Sequence, residues 1–258
     1  MLPKYALILI PLNNDYSDLS GRIYKENNLI EAKEYKNNAD IRYGLYGTLW
    51  GKTTTNKWLN LDKNATYAVV RIVLNNDIVY LDELENLIKF KSGMVVKISD
   101  LNNCAKYISE NCPPAIKESL AGLHVQSETE DLVVKGFLSS AISKHDKSHA
   151  VNFGDMGVAE TLCDVAHAIS LGKNGKAISQ GMESCSFAAG NNAEIISGKE
   201  GVSVGIGIKS IGKAGDNGML ILAYNDGYRK RVKVGYVGEN IESNVMYNVN
   251  PQGEFEKV

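Results

Sequence analysis

From Gly136 the chain can be written in rows of nine residues, beginning at Gly136, His145, Gly154, Cys163, Gly172, Gly181 and Gly190, then at Gly198, Gly207 and Gly215 after two one-residue slips. The fourth place of every row is small, from Ser139 and Ser148 through Ala166 and Gly175 to Ser210 and Gly218, and so is most of the sixth, with Ala141, Ala150, Ala159, Ala168 and Ala177 in succession. Small residues alternating between glycine-bearing turns describe a short strand with a tight inner face. A fixed period of this kind means that each unit buries its face only by stacking on its neighbours. Nine residues supply one strand and one turn, so two rows close one coil of a flattened, two-sided β-roll, with roughly five coils in all. A helix over Val158 to Leu171 competes locally, because Val158, Leu162, Val165 and Ile169 share a helical face. Turns such as Gly172-Lys173-Asn174 and Gly198-Lys199-Glu200 put lysine where a calcium-binding roll needs oxygen, so calcium is not expected.

With coils of 18 residues, equivalent places two rows apart stack in neighbouring strands about 4.8 Å apart. The seventh place on one face then gives Val133, Val151, Ile169, Phe187 and Val204, a continuous apolar ladder; on the other it gives Ile142, Glu160, Ile178, Ile196 and Lys213, which charge interrupts. If small residues fill the interior, the first ladder is an exposed apolar stripe that needs a cover. These five residues are the expected interface, and self-association as a dimer or trimer through the roll is the expected outcome. The fifth place of the same face gives Asp131, His149, His167, Cys185 and Val202. Stacked imidazoles beside a thiol could hold a transition metal or respond to pH, but the preferred reading of His149, His167 and Cys185 is a solvated ladder without a ligand. On the opposite face Lys176 should stack on Glu194.

Ahead of the repeat, Tyr5 to Leu12, Val69 to Val73, Ile78 to Leu81 and Met94 to Ile98 read as strands, with Asn75-Asn76-Asp77 as a turn. Asp82 to Ile88 places acids before leucines with helical spacing, Ser99-Asp100 caps a helix reaching about Ser109, and a short helix runs from Ala115 to Leu120. The expected fold class is therefore an α+β N-terminal domain over 1–126, an all-β solenoid of nine-residue strand-turn rows over 127–217, and a β-hairpin cap with a closing strand over 218–258. The hairpin is read from Met219 to Ala223, the Asn225-Asp226-Gly227 turn, and a returning strand carrying Arg229, Arg231 and Lys233.

Gly44 to Thr53 invites a phosphate-loop reading and fails it. Only three residues separate Gly47 from Gly51-Lys52-Thr53, where four are needed. The expectation is an aromatic-rich turn packing Tyr43, Tyr46, Trp50 and Trp58, with no cofactor and no catalytic residue. Cys104, Cys112, Cys163 and Cys185 form no C-x-x-C pair, and Lys and Arg total 28 against 30 acids, so neither a zinc ribbon nor nucleic acid or anionic lipid is expected. The apolar run at the start is too short to span a bilayer and reads as a strand rather than a leader, which sets a cytoplasmic expectation.

The glycine-small-alanine rows, followed by Gly218-Met219-Leu220-Ile221-Leu222, Val237-Gly238-Glu239-Asn240-Ile241, Tyr247-Asn248-Val249 and Gly253-Glu254-Phe255, resemble a family of bacteriophage and prophage proteins. The resemblance covers about half the chain and implies an α+β part joined to a glycine/alanine β-roll, a viral or mobile-element origin, and no catalytic residue. The rows also resemble the heads of trimeric surface adhesins. The leading expectation is a non-enzymatic binding protein acting in the host cytoplasm on a host protein, such as one of a defence system. The alternatives are a nucleotide-using enzyme, ADP-ribosyl-transferase-like, in the N-terminal half, and a structural virion or assembly component.

Overall fold

The computed structural model describes residues 5–18, 20–55, 57–62, 64–74, 77–83 and 85–258. The chain divides into two compact units, Met1–Leu123 and His124–Val258. In the first, β1 (Tyr5–Leu12), β2 (Leu29–Glu31), β3 (Leu45–Leu49), β4 (Thr66–Val73), β5 (Val79–Asp82), β6 (Leu87–Phe90) and β7 (Ser92–Ser99) make one antiparallel sheet in the order β2-β7-β4-β1-β3-β6-β5. Ala6 to Ile10 are buried without interruption because β1 lies in the middle of that sheet, covered on both faces. Helix α1 (Leu101–Asn111) starts where Asp100 accepts the Asn103 N–H at 2.8 Å, and it buries Cys104, Ala105 and Ile108.

The unit is mostly sheet, so the expected α+β balance is corrected. Asp82 to Ile88 is not a helix: β5 ends at Asp82 and β6 begins at Leu87, while Leu84 lies outside the described residues, as do Asn75 and Asn76 of the expected turn. All four residues of β6 are buried, and that tertiary demand outweighs a weak local spacing signal. The aromatic-rich turn is likewise a strand, since Leu45 to Leu49 form β3 between β1 and β6. Gly47 is needed there for close approach, because a Cβ at that position would meet the Ile8 side chain and the Leu9 carbonyl at 2.7 Å. The short helix near Ala115 is a 3-10 turn, Pro114–Ser119.

The second unit continues with β8 (His124–Ser127), β9 (Leu132–Val134), β10 (Ser140–Ser143), β11 (His149–Asn152), β12 (Val158–Thr161), β13 (His167–Ser170), β14 (Lys176–Ser179), β15 (Cys185–Ala188), β16 (Glu194–Ser197), β17 (Val202–Gly205), β18 (Ile211–Lys213), β19 (Met219–Asn225), β20 (Lys230–Tyr236), β21 (Tyr247–Val249) and β22 (Phe255–Lys257). Even-numbered strands β8 to β18 stack in parallel as one sheet, and odd-numbered strands β9 to β19 as the other. The result is a β-solenoid of about six turns, one more than the rows predict. Its first strand begins at His124, and β19 is itself a rung, parallel to β17, so the solenoid runs past residue 217. There β20 adds antiparallel to β19, while β21 and β22 continue the other sheet from β18. Val158 to Leu171, the segment with a competing helical pattern, forms β12 and β13.

Small side chains line the interior. Ala141, Ala159 and Ala177 stack along one sheet against Ala150 and Ala168 of the other, widening to Ile195, Leu220 and Leu222 at the C-terminal end. Buried hydroxyls find partners inside, as where Thr161 Oγ1 donates to Ser179 Oγ at 2.9 Å and Ser179 Oγ to the Cys185 carbonyl at 2.9 Å. The corners explain the glycines. A Cβ on Gly154, Gly172, Gly190 or Gly207 would come within 2.0 Å of the carbonyl oxygen of the row-start glycine one coil earlier. The left-handed backbone that each turn needs falls two residues later, at Leu138, Lys147, Met156, Val165, Asn174, Glu183, Asn192, Glu200, Lys209 and Asn217.

Candidate functional site

The register of the odd-numbered sheet places all five expected interface residues in one column. Val133 pairs with Val151, Val151 with Ile169, Ile169 with Phe187, and Phe187 with Val204. The column then continues through Ile221 of β19 to Val234 of β20. Val133 is 40% exposed and the next four are half-buried, as expected for side chains that stand off a sheet and touch only their column neighbours.

Two flanking columns make this a face rather than a stripe. On one side stand His149, His167, Cys185, Val202, Met219 and Tyr236. On the other stand Phe153, Leu171, Ala189 and Ile206, one residue past each strand, whose N–H groups still donate to the preceding coil at 2.8–3.0 Å. Phe153 is 45% exposed, and Val232 of β20, 59% exposed, extends the same row. The sequence reading missed this third column and the β20 continuation. The signal was available in the ninth place of alternate rows, since period-two alternation does not stop where the glycine turn begins.

The even-numbered sheet turns a different surface outward. Val158, Lys176, Glu194 and Ile211 form one column, and Ile142, Glu160, Ile178, Ile196 and Lys213 the next. Lys176 Nζ lies 2.6 Å from Glu194 Oε2, and Gln180 donates to Glu160 Oε1 at 2.5 Å. Nearly every rung there carries charge, whereas the last four strands of the odd-numbered sheet present none in the three face columns.

The histidine ladder forms as spaced. His149 and His167 stack with centroids 5.1 Å apart and planes 8° from parallel, and Cys185 follows on the next rung. Asp131 Oδ1 accepts the His149 N–H at 2.7 Å and lies 3.8 Å from His145 Nε2, a buried nitrogen without a hydrogen-bond partner. Parallel rings aim their nitrogens side by side rather than at a common point, and no three His, Cys, Asp or Glu side chains converge on a metal position among the described residues. Burial pushes the Cys185 thiol up. The Cys104 thiol, buried beneath α1, is pushed up to about 12 by the same cause.

In the first unit Tyr46 of β3 lines two cavities of about 570 and 380 Å³. Arg22, Lys33, Arg42 and Tyr43 border the larger; Leu12, Trp58, Leu59 and Leu87 border the smaller, and Trp58 Nε1 is a buried donor without a hydrogen-bond partner. Arg22 pairs with Asp18 at 3.3 Å and Arg42 with Asp40 at 2.7 Å, and the Arg42 guanidinium holds the Asp40 carboxyl down at about 2. Glu85 is occupied too, accepting from Thr53 and Thr55. Of the expected aromatic cluster, Tyr43 and Tyr46 line the larger cavity, Tyr46 and Trp58 the smaller, and Trp50 is buried. The arginines and Glu85 are committed to these partners, and none of the pairs joins a nucleophile to a base.

No protein-family profile and no solved structure matches the chain. It is similar to a Pseudomonas fluorescens protein named ice nucleation protein, 25% identical over 138 residues. That match covers 51% of this chain and 11% of the other protein's length.

Proposed function

We propose that the chain is a non-enzymatic interaction protein whose solenoid docks protein on the outward face of the odd-numbered sheet. The observation that supports this best is the asymmetry of the two faces: one is apolar in two columns from β11 to β20 and in all three from β15 onward, while the other is charged on nearly every rung. An apolar area this continuous is costly in water and is a recurrent mark of a protein contact. Strands β20, β21 and β22 act in this reading as the cap that closes the last coil. The resemblance to phage and prophage proteins supports a host cytoplasm as the setting and a host protein, such as a defence component, as a target of the assembled protein.

The test is Phe187→Asp, which puts a charge at the middle of the face and leaves the interior untouched. Wild type should sediment above the 28.2 kDa of one chain, alone or with a stoichiometric partner, and the variant should run as a single chain with an unchanged thermal midpoint. Equal masses and equal partner content for the two would overturn the reading.

A further inference from the structure

The smaller cavity of the first unit, about 380 Å³, draws its lining from three neighbouring strands and one loop: Pro11 and Leu12 of β1, Tyr46 of β3, Leu87 of β6, and Trp58 and Leu59 ahead of β4. Its size falls at the lower end for small-molecule sites, and its lining is mostly apolar, as in such sites. The polar groups at its edge are already engaged. Lys57 Nζ pairs with Asp82 at 2.5 Å, and the Asn13 amide donates to Ser17 Oγ at 3.0 Å and to the Asp18 carbonyl at 3.3 Å. No aspartate or glutamate lines the cavity among the described residues, and burial pushes the Tyr46 hydroxyl up, so that wall is uncharged near neutral pH. One group is left over: Trp58 Nε1 is buried and has no hydrogen-bond partner. An indole N–H can only donate, and a buried donor is normally satisfied. The Lys57 ammonium lies 5.3 Å from the Trp58 ring centroid, so a cation occupies one face of the ring and helps to hold it in place.

We propose that this cavity binds a small, neutral, aromatic molecule carrying one hydrogen-bond acceptor, a ketone or amide oxygen, which takes the Trp58 Nε1 proton. The site belongs to the first unit and does not rest on the docking face of the solenoid. Each property of the ligand follows from the lining. An anion would meet a lysine already paired with Asp82, and a cation would find no carboxylate, so either would lose hydration without compensation. An aromatic body follows from Tyr46 and Trp58, whose rings gain more from stacked or edge-on contact with another ring than from an aliphatic chain. A single acceptor follows from the single orphaned donor. The match is selective, because an analogue without the oxygen leaves Nε1 buried and unpaired. The volume limits the ligand to about one or two rings.

The experiment titrates the full chain with three probes: α-tetralone, a neutral two-ring ketone; tetralin, the same body without the oxygen; and naphthoate, a two-ring anion. The chain has two tryptophans and so gives two indole N–H resonances in a nitrogen-proton NMR spectrum, of which Trp58→Phe removes the one from Trp58. In wild type α-tetralone should bind about tenfold tighter than tetralin or naphthoate. It should also move the Trp58 indole proton downfield, as hydrogen bonding does, while tetralin does not and the Trp50 resonance stays in place. In Trp58→Phe the preference for α-tetralone over tetralin should vanish. Equal affinity of wild type for these two probes, or a preference that survives in Trp58→Phe, would overturn the role of Nε1. Naphthoate as the tightest probe would overturn the neutral class. No binding of any probe at millimolar concentration, or a response from Trp50 alone, would overturn the site. The wild-type comparison needs no variant, so it decides the matter even if Trp58→Phe fails to fold: α-tetralone must shift downfield one indole resonance that tetralin does not.

Discussion

At the scale of the residue, the corner of each coil divides two demands between two positions. The row-start glycine answers a contact: at Gly190 a Cβ would lie 1.9 Å from the Gly172 carbonyl oxygen. The residue two places on answers a dihedral, and Val165 holds φ 56° there although its branched Cβ disfavours the left-handed region. Val165→Asn should therefore stabilise the chain by about 1 kcal/mol, because Asn tolerates that backbone and Val165 is exposed enough to lose little burial. Gly190→Ala should cost about 3 kcal/mol or more, since backbone must move to admit it. Thermal midpoints measure both, and a lower midpoint for Val165→Asn than for wild type would contradict the division. The sequence shows the glycine column plainly, but not its reason. Which carbonyl presses on a glycine is decided one coil away, and nothing in Leu138, Met156 or Glu183 as residue types announces a left-handed backbone.

At the scale of the element, legibility follows how far each pattern repeats. The solenoid strands fall where the rows put them, and the apolar ladder and the His149, His167 and Cys185 ladder beside it pair in the predicted register, because an error in one row would conflict with its neighbours. The first unit offers no such check. Leu87 and Ile88 look helical beside their acids, and only the sheet neighbours Thr48 and Gly47, far along the chain, show them to be a strand. Repetition also makes a fault propagate, since every rung inherits its facing from the one before. One residue inserted after Gly175 would turn Lys176 inward on β14 and displace the bond from its N–H to the Gly157 carbonyl, now 2.9 Å. The same insertion among Asn13, Asn14 and Asp15 lengthens an exposed turn. The first should lower the midpoint of unfolding by many degrees and the second by few, with circular dichroism as the readout; equal losses would contradict inherited register.

For the molecule as a whole, the same logic that makes the roll easy to read makes its ends hazardous. Parallel coils expose a complete row of backbone donors and acceptors at the last rung, and a solenoid without an end element can add another chain there. Here β20 pairs along all seven residues of β19, and β21 continues from β18 with β22 beyond it. The hairpin is held at its turn by Asp226, whose carboxyl accepts the Tyr228 and Arg229 N–H groups and pairs with Arg231. That pairing holds the Asp226 carboxyl down at about 2, so its contribution is complete above the ordinary carboxylate range, fades as pH falls through that range and is lost below about 2. The hairpin turn should therefore persist through mild acid. Removing residues 226–258 strips both sheets of these strands at once. In a Phe187→Asp background, which keeps the apolar face from contributing, the truncated chain should grow in mass with concentration and reach no defined endpoint by light scattering. A monodisperse truncated chain at every concentration would mean that the last coil protects its own edges, and β20 would then serve the docking face alone.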